Sequence, residues 1–138
     1  MAIESTAGIA LLVARIAFGG VLAFTGLNHF MTTEQMVGYA DAKGVPLPTV
    51  SVLGSGAMLV LGGLGIALGA FAAVSAAAIA AFLLVATPMM HDFWNVPEAE
   101  QQSEMTQFLK NAALFGGAIA FAVLALETWP YAIGVGLI

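Results

Sequence analysis

At 138 residues, 61% hydrophobic and 8% charged, the chain lies far outside the soluble range of roughly 45–50% apolar and about 25% charged residues, which excludes a water-soluble globular fold. Eight acids against three bases give a net charge of −5, and so few cations leave no surface for nucleic acid. With no cysteine, the chain has no disulfide, thiolate zinc site, cysteine-ligated iron–sulfur cluster or thiol redox chemistry of its own.

Met1-Ala2-Ile3-Glu4 lacks the basic n-region of a cleavable signal, so the apolar run after it is expected to be kept as the first of four transmembrane helices, over residues 7–28. Arg15 stands inside that run. A guanidinium at membrane depth costs at least ~2.5 kcal/mol and normally faces protein or trapped water. Arg15, Gly19, Leu22, Gly26 and His29 follow steps of four and three, a stripe about 21 Å long expected to face the bundle interior. Three readings of Arg15 compete: a structural pin on helix carbonyls, serines or Glu127, a binder of an anionic or quinone-like ligand, and simple snorkelling to the interface.

Thr32 and Gln35 have capping-box spacing, which predicts a short helix lying along the interface with Met36, Val37 and Ala40 on one side. Lys43-Gly44 is its expected stop, and Pro46 and Pro48 fit the entry to a second span over residues 48–69. A third span, residues 70–90, follows after a tight turn at Gly69-Ala70. Asn95-Val96-Pro97-Glu98 then reads as a helix start, with Glu98, Glu100 and Glu104 at the positive end of a helix that runs into a fourth span over residues 106–128. The fold class is therefore all-α: one domain, a transmembrane four-helix bundle with a short interfacial helix after the first span.

Where no hydrophobic effect separates helix from lipid, small residues mark close helix contacts. Gly65 with Gly69, Ser51 with Ser55, Ala113 with Gly117 and the alanines of the third span predict the tightest packing among spans two to four. Four crossings put both termini and the Gly69-Ala70 turn at one end of the bundle and the two polar loops at the other.

At the loop end, His29, His91, Asp92, Lys110 and Asn111 converge, the mixture of imidazole, carboxylate, ammonium and amide that a polar ligand pocket uses. Helix ends also gather polar residues without any site. Trp94, beside His91 and Asp92, is a candidate stacking wall, although a membrane-interface belt accounts for it together with Phe93, Phe30, Tyr39, Trp129 and Tyr131. The ligand-binding candidates are thus Arg15, His29, His91, Asp92, Trp94, Lys110 and Asn111. No metal is expected; His29, His91, Asp92 and Glu104 have metal-ligand types without diagnostic spacing. A bis-histidine haem between His29 and His91 rests on one histidine pair and would sit at the interface, which disfavours it.

Met90-His91-Asp92-Phe93-Trp94, then Phe108-Leu109-Lys110-Asn111 and Gly116-Gly117, resembles the DoxX family of small membrane proteins. Ala14-Arg15-Ile16 and Gly26-Leu27-Asn28-His29-Phe30 are similar to that family's opening helix, where lysine often stands at the place of His29. The resemblance implies a multi-pass protein of the cell membrane, in a family named after a subunit of a quinone-linked thiosulfate-oxidising complex. It does not imply that this chain oxidises thiosulfate, and one such fold hosts different tasks. Three functions follow as expectations. The first is an accessory or ligand-binding subunit of a quinone-linked or redox-stress system, with quinone as ligand, redox-complex proteins or its own copies as partners, and no catalysis alone. The others are a membrane chaperone or cargo-type protein, and a small-molecule carrier.

Overall fold

A computed structural model describes residues 5–136, so Met1–Glu4, on which the reading of the amino terminus rests, lies outside the described residues. The described residues form five α-helices: α1 (Ser5–Met31), α2 (Thr33–Ala42), α3 (Pro48–Leu68), α4 (Ala72–Met90) and α5 (Glu98–Leu124), with a 3-10 turn at Phe93–Asn95 between the last two. Four of them, α1, α3, α4 and α5, are long and apolar enough to cross a membrane. The side chains they turn outward, such as Val13, Phe24, Leu61, Leu84 and Val123, are large and apolar, as a lipid-facing surface requires.

The small helix α2 forms where expected, but not by the expected cap. Thr32 makes no side-chain cap bond; its hydroxyl donates instead to the Asn28 carbonyl at 2.8 Å, because α1 runs on to Met31 and offers an acceptor one turn back. Gly44 ends the segment in the left-handed conformation at φ 77°, and Pro48 occupies the first turn of α3, where its missing N–H leaves no bond unmade. The fourth span is one 27-residue helix about 40 Å long, which stops at Leu124 rather than continuing to residue 128.

Packing is tightest between α1 and α3, not among spans two to four. The inward stripe of α1 is buried as its spacing predicts, with Arg15, Gly19, Leu22, Gly26 and His29 all enclosed. Gly19 meets the backbone of Gly63 and Gly26 meets Gly56, so that an added Cβ on Gly26 would come within 2.7 Å of the Gly56 carbonyl oxygen. These four glycines face one another from different helices, a pairing that spacing within either helix leaves invisible. On the far side of α3, Gly62 and Gly65 admit Ile79 and Ser75 of α4. The core of Leu59, Ile66, Ala76, Ile79, Leu83 and Ala118 runs through α3, α4 and α5.

The turn between α3 and α4 explains the intramembrane charge. A helix leaves its last four carbonyls without intrahelical partners, and Gly69-Ala70-Phe71 is too short and apolar to bring water to them. Gly65 accepts from the amides of Gly69 and Ala70, and Leu68 accepts from the amide of Ile133 at 2.9 Å. Arg15 supplies the other two, donating from Nε to Ile66 O at 3.2 Å and from Nη2 to Ala67 O at 3.0 Å. Its remaining donors reach Pro130 O at 2.7 Å and Tyr131 O at 3.0 Å, tying down the carboxy-terminal strap. The Trp129 ring lies 5.3 Å from Cζ, and its own N–H donates to Leu124 O at 2.8 Å. Trp129 is thus buried against the charge rather than part of an interface belt.

Candidate functional site

At the hairpin end, α1 and α5 touch through Phe18, which stacks on Phe121 at 5.0 Å and covers Gly117. Toward the loop end the same two helices part. Each packs mainly on a different partner, α1 on α3 and α5 on α4, so their divergence leaves a cavity of about 1060 Å³. It extends from Phe18 and Leu114 to His91 and Lys110, and α2 lies across it with Met36, Tyr39 and Ala40. The stretch from Phe18 to His29 measures roughly 16 Å along α1, about half the apolar thickness of a bilayer.

His29, His91, Lys110 and Asn111 all line this cavity. Arg15 does not: it stands roughly 21 Å up the same helical stripe, its donors committed to four backbone carbonyls. The polar site expected to join Arg15 to the loop-end residues is therefore two separate places. Trp94 is elsewhere again, edge-on to Phe93 at 5.2 Å and to Phe108 at 5.8 Å in a small aromatic knot around the 3-10 turn. Asp92, too, faces α2 rather than the cavity.

His29 is buried in the α1–α3 contact. Its Nδ1 lies 2.9 Å from the Val52 carbonyl oxygen and 3.1 Å from Ser55 Oγ, whose hydroxyl donates to that same carbonyl. Ser55 thus belongs to the site, although spacing alone marked it only as a packing residue. Lys110 donates to Gln107 at 2.7 Å and is exposed at the mouth.

Residues that spacing did not bring forward hold that mouth together. Lys43 on α2 pairs with Asp92 at 2.6 Å and with Glu104 at 3.3 Å, linking α2 to the loop ends of α4 and α5. Tyr39, one turn back on the same face, donates to Glu104 at 3.0 Å and lies beneath the Lys43 ammonium. Glu104 is buried in this latch, not exposed at a helix dipole. The hydrogen bond to Asp92 raises the Lys43 ammonium above the ordinary lysine value. Burial, then the bond to the Glu104 carboxylate, raises the Tyr39 phenol. A signal for Tyr39 and Lys43 existed in their four-residue separation, and for Glu104 in the steps to Phe108 and Asn111.

The same pairings dissolve the alternative metal set. His29 is bound to Val52 and Ser55, Asp92 and Glu104 hold Lys43, and His91 Nδ1 approaches Glu104 only to 3.5 Å without a hydrogen bond. Among the described residues no three of these ligand types converge on one point.

Lys43→Gln is expected to loosen α2 without unfolding the bundle. Losing two ion-pair contacts that are mostly shielded from water should cost ~1–2 kcal/mol, so amide hydrogen exchange across Thr33–Ala42 should quicken about 5–30-fold while α3 stays protected. Because the lysine value is raised and the Asp92 and Glu104 values are lowered, the latch is intact between the two ranges: it weakens as pH rises through the raised lysine value and again as pH falls through the lowered carboxylate values. Unchanged exchange in α2 would show that the latch carries no load.

No curated protein and no solved structure matches the chain. The family model described as DoxX matches residues 10–92, from the first turns of α1 through the loop-end His91-Asp92. With four helices able to cross a membrane and more than half its length matched, the chain is an integral membrane protein that belongs to the DoxX family.

Proposed function

We propose that the chain is an accessory, ligand-binding subunit of a quinone-linked or redox-stress system in the cell membrane, and that it holds a quinone-type molecule in the cavity beneath α2. The observation that carries this reading is the cavity itself. Its volume of about 1060 Å³ lies just above the ~300–1,000 Å³ of small-molecule sites. Its walls are mainly apolar, from Phe18 and Leu22 through Leu59 and Phe82, with a few polar groups gathered toward the loop end at His29, Ser55 and Asn111. That gradient suits a flat ring with two oxygens and an isoprenoid tail. The parted α1–α5 seam offers a lipophilic molecule a lateral way in from the bilayer, where such molecules reside. No reaction step is assigned to the chain alone; its part is to bind, and redox chemistry falls to a partner protein.

The test is direct. In lipid nanodiscs, a short-tailed ubiquinone analogue should bind the wild type, measured by calorimetry. Gly54→Phe on α3, where an added side chain meets open space, and Ala86→Phe on α4 fill the cavity from opposite walls. Each should weaken binding at least about tenfold, the effect of displacing the ring from an apolar pocket. Wild-type affinity retained in both would mean that the analogue sits elsewhere, and no binding by the wild type would end the reading.

A further inference from the structure

From the hydrogen bonds around His29 we infer that the cavity selects a head group that donates a hydrogen bond, so that a reduced quinol is preferred to the oxidised quinone. The inference rests on the proposal that the cavity holds a quinone-type ligand.

The contacts of Nδ1 fix the tautomer. A carbonyl oxygen can only accept, so a 2.9 Å contact from His29 Nδ1 to Val52 O requires the proton to be on Nδ1. Ser55 agrees with this assignment: its hydroxyl donates to the same carbonyl at 3.1 Å, leaving an oxygen lone pair for the Nδ1–H to share at 3.1 Å. Both ring neighbours are fixed by the helical backbone of α3. The neutral ring is therefore held as the Nδ1–H tautomer, and Nε2 carries a lone pair. Among the described residues Nε2 has no hydrogen-bond partner, and His29 lines the cavity.

The neighbouring hydroxyls reinforce the bias. Thr25 donates to Val21 O at 2.9 Å, Ser51 to Pro46 O at 2.7 Å and Ser55 to Val52 O, so every hydroxyl hydrogen on this wall is committed to backbone. What this wall offers a guest is acceptor lone pairs; the cavity's donors, on Gln35, His91, Lys110 and Asn111, stand on other elements. A quinol hydroxyl satisfies Nε2 by donating to it, whereas a quinone carbonyl oxygen would place lone pair against lone pair. Asn111, on the opposite wall, carries donor and acceptor on one carboxamide and serves the second ligand oxygen in either state. Discrimination thus lies with His29.

Wild-type protein in nanodiscs is titrated anaerobically with decylubiquinol and with decylubiquinone. The quinol should bind about tenfold more tightly, the worth of one made against one frustrated hydrogen bond, and His29→Leu should bring the two within about twofold. Because that variant also removes the bond to Val52, a second measurement uses the folded wild type. The chain has two histidines, so ¹⁵N-histidine labelling yields two ring systems, assigned with His91→Gln. His29 should rest as the Nδ1–H tautomer, and Nε2 should shift with the quinol and hardly with the quinone. Equal affinity for both forms, a preference for the quinone, or an Nε2–H resting tautomer would overturn the inference and leave the cavity reading standing. Binding of neither form would overturn both.

Discussion

Arg15→Met is expected to be the most damaging single substitution in the chain, costing roughly 4–5 kcal/mol or more. The side chain reaches four carbonyl oxygens, two in the last turn of α3 and two in the carboxy-terminal strap. Removing the guanidinium leaves the Ile66 acceptor buried and unpaired and strips the three part-buried acceptors of their donor, at ~1–3 kcal/mol for each that water does not reach. Solvent replaces the lost donors poorly at the α3 end, because the α3–α4 turn is apolar and the strap is bonded to it through Ile133 and Gly134. Arg15→Lys tests whether charge alone suffices. Its ammonium keeps the charge but lacks the planar fork that spans α3 and the strap, so it should recover less than half of the loss. The measurement is the unfolding midpoint of purified protein in a mild detergent titrated with SDS. Near-wild-type midpoints for Arg15→Met would mean that the carbonyls find other partners, and the account of this end would be wrong.

The second large effect is predicted for Gly63→Ala, which adds one methyl group. An added Cβ there would run into the Gly19 carbonyl oxygen and approach the Ala23 amide nitrogen to 2.6 Å, both backbone atoms of α1. Backbone cannot rotate away, so α1 and α3 must separate, and overpacking of this kind costs ~1–3 kcal/mol. The loss should be at the upper end, since separation also pulls Arg15 and His29 off their α3 carbonyls. Gly116→Ala is the matched control. Its Cβ meets nothing within 4 Å, so the exchange of glycine for alanine in a helix should stabilise by about 0.5–1 kcal/mol. Opposite signs for the two substitutions, read from unfolding midpoints, are the expected result; a neutral Gly63→Ala would mean that the two helices do not pack as closely as described.

Much of this architecture was legible in the residue order, because the governing effects are local. Length and hydropathy mark four membrane-spanning helices, and the four-and-three spacing from Arg15 to His29 identifies the face of α1 that is enclosed. Gly44 and Pro48 mark the end of α2 and the start of α3 through backbone conformations that other residues adopt less readily. What stayed hidden was pairing across the chain. Glycines of α1 meet glycines of α3 from 30 and 44 residues away, and no spacing within one helix reports it. The partners of Arg15 are carbonyls, which every residue carries, so no motif announces them. The same holds for the latch: Lys43, Asp92 and Glu104 come from three elements that only the fold unites. Thr32 failed as a cap for a local reason, since a threonine at the end of a continuing helix finds the carbonyl one turn back before the amide ahead.

Pinned at one end and parted at the other, the four spanning helices pack as two pairs, with the gap between them closed over by α2. The consequence for function is that the cavity lies on the loop side, away from the buried arginine, and is apolar over most of its wall. Its polar groups come from α1, α2, α3 and α5 and from His91 just beyond α4, so any molecule held there would couple the two helix pairs and the latch above them.

Native mass spectrometry of the protein released directly from its own membrane addresses the occupancy of that space. The wild type should carry one small lipophilic adduct at near-stoichiometric level, and Gly54→Phe and Ala86→Phe should emerge without it. A wild type free of any such adduct, or variants that retain it in equal amount, would contradict the account.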